Sequence, residues 1–526
     1  MSAVSETNDI SVRYKKLLGL LGIILIVCLY AFRFFLLVNY CFKYVDNDTA
    51  IYWHAVVDYA NGVFHEPFFY GQNYGLMPEA FLTVPLYWLR VPLWIAVPLV
   101  SMFVYTLPFI IVAASTWKRD SLTSVVILLI PCMTGLKYDV VTTIPRSFGA
   151  GYLLAVIGSL LLIKHYDGKR LKTQIVHGTG IFLIILGATT SITSLTISSF
   201  TICFILMREF INGKSFKENL RAHEYLGFLL GLLLGTVLFF GFNSFYSTHP
   251  DYEYYRSLDF SLSFSALSDN LSEIKDLFAV FSPADSLWFV APALLILIFL
   301  FILVFRRKPC RQLSFLLIMC VVGTLLIMTT SKSRDFLPTS FLFSVARLYV
   351  FFPYLIAMLL YVSTFYEKRT INAQRSRPFV IAAVPLLILL VLSSSALKIR
   401  YLKDTMAAEN NLLTNGDSYL DIVSVDEVRK DAAKLKQVCS DNGIQYVIYF
   451  TELHSTRAYA GDALNYGTVT SYNAIFERRT WIYHELQKQN SVPLKVYAIT
   501  NSKEGIITIP AGESVVQHLE KMGFRR

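Results

Sequence analysis

Two aspartates, Asp46 and Asp48, stand directly after a long apolar run. They are followed by the segment Phe68-Phe69-Tyr70-Gly71-Gln72-Asn73-Tyr74-Gly75-Leu76-Met77-Pro78-Glu79-Ala80-Phe81-Leu82. A carboxylate within hydrogen-bond reach can take the proton of an attacking hydroxyl, a role worth roughly 10²–10⁴-fold in rate. The complementary need is a cation near the leaving group, because Arg or Lys stabilises negative charge as it develops. Candidate cations are Lys137, Arg146, Lys332, Arg334 and Arg347, and Asp139 is a further acid beside Lys137. Arg347 lies one to two turns inside an apolar run, where a cation seldom faces lipid; the alternative is that it snorkels to the interface. Tyr70, Gln72 and Tyr74 could line a polar ligand or belong to an interfacial aromatic belt. Glu79 could orient the acid network or complement the dipole of the helix it opens. The seven cysteines form no CxxC and the nine histidines never cluster, His54 and His65 included, so neither a metal nor a cofactor is expected.

These residues need elements to hold them, and composition says what kind. Of 526 residues, 55% are hydrophobic and 16% charged, with mean hydropathy +0.51, against roughly 25% charged in soluble domains. That excludes a soluble multidomain protein, a disordered chain and a disulfide scaffold. A bilayer-crossing helix needs roughly 20 apolar residues, because lipid cannot satisfy its backbone. Eleven runs qualify: 17–41, 92–116, 121–136, 147–164, 175–189, 190–210, 225–243, 287–305, 312–330, 341–365 and 379–398. The fifth and sixth are one tract broken at Gly187-Ala188-Thr189-Thr190-Ser191, where a hairpin is expected.

The net charge of +10 is a topology signal and points to no nucleic acid. From Arg400 onward there are 15 Lys/Arg and 15 Asp/Glu, so the excess sits in the apolar half. Alternate loops are basic, including Lys118-Arg119, Lys164 to Lys172, Arg208 to Arg221, Arg306 to Arg311 and Lys368 to Arg377. By the positive-inside rule these face the cytoplasm. The acidic loops 42–90 and 243–286 then face outward, as does the part of the chain beyond the last span. The expected architecture is a polytopic α-helical membrane domain, residues 1–398, with interfacial helices in its first outer loop (42–90). A small extracytoplasmic α/β domain, 399–526, follows. In that domain Ser424-Val-Asp-Glu427 has capping-box spacing for a helix, Gln445–Phe450 reads as a strand, a helix is expected around 472–490, and Val496–Thr500 reads as a strand.

The stretch 46–90 resembles the membrane glycosyltransferases of the GT-C fold, the bacterial branch similar to protein O-mannosyltransferases. That branch carries an acidic pair after the first span, a glycine about fourteen residues on, and a segment of the form F-Y-G-Q-P-Y-M-G-x-x-E-A-Y-L. Counting back from Gly62 selects Asp48 as the family's base. Here the usual Asp-Glu is Asp48-Thr49, the proline is Asn73, and the Met-Gly pair is shifted to Gly75-Leu-Met77. The base is therefore Asp48 or Asp46. The Arg347 segment is similar to the family's R-Y-L-x-P start of a late span. The resemblance implies transfer of a sugar from a polyprenyl-phosphate donor to a lipid, glycan or protein acceptor, on the outer side of the plasma (inner) membrane. Tyr70, Gln72, Tyr74, Glu79, Asp139, Arg146 and Arg347 would surround the substrates. Two other classes stay open: a transporter or flippase, which would usually show internal repeats and several charged spans, and a non-catalytic envelope scaffold binding the same lipid-linked sugar.

Overall fold

The computed structural model describes residues 23–24, 26–35, 37–39, 42–71, 75–133, 147–164, 170–211, 222–249, 350–367, 423–451, 455–474 and 492–524, with a few isolated positions elsewhere. After an apolar helix, Ile26–Asn39, come α1 (Asn47–Ala60), α2 (Pro78–Trp88), α3 (Leu93–Trp117), α4 (Ser121–Met133), α5 (Phe148–Lys164), α6 (Arg170–Thr190), α7 (Leu195–Ile211), α8 (Ala222–Thr248) and α9 (Phe351–Glu367). The helices α10 (Val425–Asn442), α11 (Ser455–Leu464) and α12 (Val515–Lys521) belong to the C-terminal part. Among the described residues, three helices, Leu93–Trp117, Leu171–Thr190 and Leu226–Thr248, are long and apolar enough to cross a bilayer. The chain is an α-helical membrane protein. The expected spans 287–305, 312–330 and 379–398 lie outside the described residues, as does the start of 341–365, so the count of eleven stays an expectation.

The tract 175–210 is broken as its Gly-Ala-Thr-Thr-Ser sequence suggests: α6 ends at Thr190 and a 3-10 turn, Ile192–Ser194, precedes α7. Both helices pack on α5. Small residues set the closest approach, as they do where no hydrophobic effect drives helices together in lipid. A Cβ at Gly231 of α8 would collide with the Gly178 carbonyl oxygen of α6, and one at Gly158 of α5 with that of Gly180. Aromatic stacking draws α9 in from far along the chain. The Tyr354 ring lies 4.9 Å from those of Phe109 and Tyr152, and its hydroxyl donates to the Tyr105 carbonyl at 2.8 Å.

The first loop and the C-terminal part share a core. Strand β1 (Tyr44–Val45) pairs antiparallel with β2 (Val423–Ser424). One apolar cluster joins Ile51, Trp53, Val56 and Val57 of α1 to Val425, Val428, Tyr459, Ala460 and Ala463. Ser424 caps α10 by accepting the Glu427 N–H at 3.2 Å, and Gly443 ends that helix at φ +61°. Four further strands, β3 (Tyr446–Tyr449), β4 (Thr470–Asn473), β5 (Leu494–Ile499) and β6 (Glu504–Ile509), form a sheet in the order β4-β3-β5-β6, parallel except for β6. Parallel β3 and β4 need a crossover, and α11 supplies it. The expected helix at 472–490 needs correction at its start, where Tyr472 and Asn473 belong to β4; residues 475–491 lie outside the described residues. The strand expected at 496–500 begins two residues earlier, at Leu494.

Candidate functional site

Helix α1 begins where the apolar helix has ended, and its two N-terminal aspartates are treated differently. Asp46 has extended backbone (φ −110°, ψ 172°), and its Oδ1 accepts the Thr49 N–H at 2.8 Å. It is the N-cap, and it is buried. Asp48 lies in the first turn and is half-exposed; its own N–H donates to Asn47 Oδ1 at 2.8 Å. Asp48 thus differs from Asp46 in burial and in taking no part in the cap bond.

The aromatic segment folds back on itself. The Phe69 N–H donates to the Gly75 carbonyl at 2.9 Å, and Gly71 and Gly75 take φ +77° and +76°, which glycine adopts without strain. The buried Tyr70 hydroxyl donates to Asp58 Oδ2 at 2.9 Å. Gln72 and Tyr74 lie outside the described residues, as do Asp139, Arg146, Arg347 and Lys137. Ser147 accepts or donates a 2.6 Å bond with the Tyr52 hydroxyl and donates to the Leu76 carbonyl, so it ties α1 to the start of α2.

Three loop carboxylates are fully buried, and each ties the loop to a different element. Glu66 accepts from the Gly71 N–H and from the Tyr246 hydroxyl of α8, both at 3.0 Å. Burial pushes its pKa up to about 8 against those two donors. Glu79 accepts the Ala150 N–H of α5 at 3.3 Å, and burial pushes it up to about 7. Asp58 meets His54 Nε2 at 3.2 Å and His65 Nε2 at 3.6 Å, and the other ring nitrogen of His54 lies 2.5 Å from Asp462 Oδ2 of α11. Burial opposes charge on Asp58, yet the two histidines hold it well below the usual carboxylate range. Burial likewise opposes charge on His54, but Asp462 and Asp58 raise it to about 10. The two carboxylates on either side thus favour the charged form of His54.

Sequence reasoning missed this cluster. The i,i+4 spacing of His54 and Asp58 carries half of it; Asp462 gives no local sign, because the fold alone brings it there. Among the described residues no group of three His, Cys, Asp or Glu side chains has the arrangement to hold a metal ion. A buried cation, Arg33 in the first apolar helix, donates to Thr106 Oγ1 at 3.4 Å and to Thr142 Oγ1 at 2.8 Å.

Fold and site together define a membrane protein whose first extramembrane loop is packed against its C-terminal part. No family model matches the chain, and no curated protein does. Among solved structures it is similar to ArnT from Cupriavidus metallidurans, crystallised in the apo state, with 10% sequence identity and a TM-score of 0.44 over 90% of this chain and 92% of that one.

Proposed function

We propose that the chain is a GT-C-type glycosyltransferase that moves a sugar from a polyprenyl-phosphate donor to an acceptor hydroxyl, with Asp48 as general base. One observation carries the reading: of the two aspartates that follow the first apolar helix, Asp46 serves as the helix cap and Asp48 is half-exposed beside it. A lipid-linked sugar has its tail in the bilayer and its head at the interface, where the end of that helix leads. In this reading the base removes the acceptor proton, and Arg146 and Arg347 neutralise the departing phosphate, Arg347 by a bidentate fork. Gln72, Tyr74 and Asp139 contact the sugar or acceptor. Tyr70 and Glu79 act through the loop they hold, and Asp46 fixes the helix that aims Asp48. The site faces the outer side of the plasma (inner) membrane, with lipid, glycan or protein as acceptor.

The test is reconstitution of the purified chain with a panel of polyprenyl-phosphate sugars, following release of polyprenyl phosphate. Wild-type protein should release it from at least one donor, and Asp48→Asn should not. Binding without release from any donor would favour a non-catalytic scaffold.

A further inference from the structure

The His54 cluster lies away from the end of α1 that bears Asp48, and it joins parts of the chain that are far apart in sequence. Its members come from several elements packed there, with Glu66, Tyr59 and, from α2, Tyr87 in electrostatic reach of its tyrosines. Asp58 is on the same helix. His65 and Tyr70 come from the loop after it, with the Tyr70 ring centroid 6.1 Å from that of His54. Asp462 comes from α11, and Tyr466, just beyond α11, also stands 6.1 Å away by ring centroid. Asp462 is itself fixed, since its Oδ1 accepts the Ser471 N–H of β4 at 3.0 Å. The link therefore runs from α1 through His54 to the sheet. Apolar packing of α1 on α11 supplies adhesion. The contact of His54 with Asp462 adds a directional charge link to that packing.

We propose that His54 is a positioning residue: a buried imidazolium latch, closed by Asp58 and Asp462, through which the C-terminal part sets the orientation of the helix that carries Asp46 and Asp48. The latch stands on its own geometry; its effect on turnover rests on the transferase reading above. Its pH dependence has a definite sign. His54 is held above the unfolded value of roughly 6.5, so its contribution is fully present below that value and is lost as pH rises towards about 10. Tyr70 and Tyr466 are raised, the latter to about 12, so both stay neutral across that window.

The experiment is hydrogen exchange by mass spectrometry on the full chain in detergent, with peptides covering 47–60 and 455–464, and 504–509 as an internal reference. In the wild type, raising pH from 8.5, above the folded values of Glu66 and Glu79, to 10.5 should lower protection of the first two peptides together by about tenfold or more after correction for intrinsic exchange, while the reference holds. Unchanged protection, or loss in one peptide alone, overturns the latch. His54→Gln and Asp462→Asn should each loosen both peptides, and the double variant should be little worse than either single one; additive effects would also overturn it. The wild-type titration decides the matter even where a variant fails to fold. Transfer is read in parallel. Loss of turnover in His54→Gln without the alkaline exchange response would reject the latch, whereas a wild type with no transfer at all would reject the enzyme reading and leave the exchange result to stand.

Discussion

Asp48 and Asp58 lie on one helix, carry the same side chain, and occupy opposite environments. Asp58 is wholly buried, bonded by Tyr70 and flanked by two histidines. Asp48 is half-exposed in the first turn, at the end the apolar helix leads into. The difference is one of surroundings. At the far end of α1 the loop and the C-terminal part close over the carboxylate, and its charge is spent on holding them together. At the near end Asp48 is only partly buried, in the first turn of the same helix.

The largest expected effect tests the buried end. Asp58→Asn removes one anion of the cluster and leaves the Tyr70 hydroxyl and two histidines with a weaker partner, so it should cost about 3–5 kcal/mol of stability. Thermal unfolding in detergent is the measurement, and a change within experimental error would mean that the cluster is not holding the loop.

Glu79 sharpens the comparison through pH. Its folded pKa, pushed up to about 7 by burial, lies above the unfolded value near 4.3, so the folded state prefers the protonated acid and loses stability as pH rises through that range. Glu79→Gln, a permanently neutral mimic, should match wild type below about pH 4 and exceed it in melting temperature by pH 8. Equal melting temperatures at both pH values would show that Glu79 is solvated.

Smaller effects belong to the near end. Asp46→Ala removes the N-cap and should cost about 0.5–2 kcal/mol, read in the same melts. Asp48→Asn, which touches no cap, should stay within about 0.5 kcal/mol of wild type. A larger loss for Asp48→Asn than for Asp46→Ala would reverse the two roles.

How much of this was legible in the sequence follows from the range of the forces involved. The long apolar helices could be read because bilayer thickness demands uninterrupted runs such as Leu93–Trp117. Ser424 could be read as a helix start because capping is local. Helix α11 escaped notice because its buried face is built from Ala458, Ala460 and Ala463, too small to give a strong periodic signal. At the site, the pairing of Asp46 with Asp48 was visible and the count from Gly62 favoured Asp48, but that Asp46 caps the helix was not visible. That depends on which carboxylate meets the Thr49 N–H, a matter of backbone angles. The link from His54 to Asp462 was invisible for another reason: it is a tertiary contact with no spacing to betray it.

The measurement that tests the central claim most directly is the transfer rate and donor affinity of Asp48→Asn and Asp46→Asn in one detergent preparation. A general base supplies roughly 10²–10⁴-fold, so Asp48→Asn should lose about that much turnover while binding donor as wild type does. Asp46→Asn should lose far less, since an asparagine still caps the helix. Normal transfer by Asp48→Asn beside an inactive Asp46→Asn would contradict the assignment and move the base to the capping position.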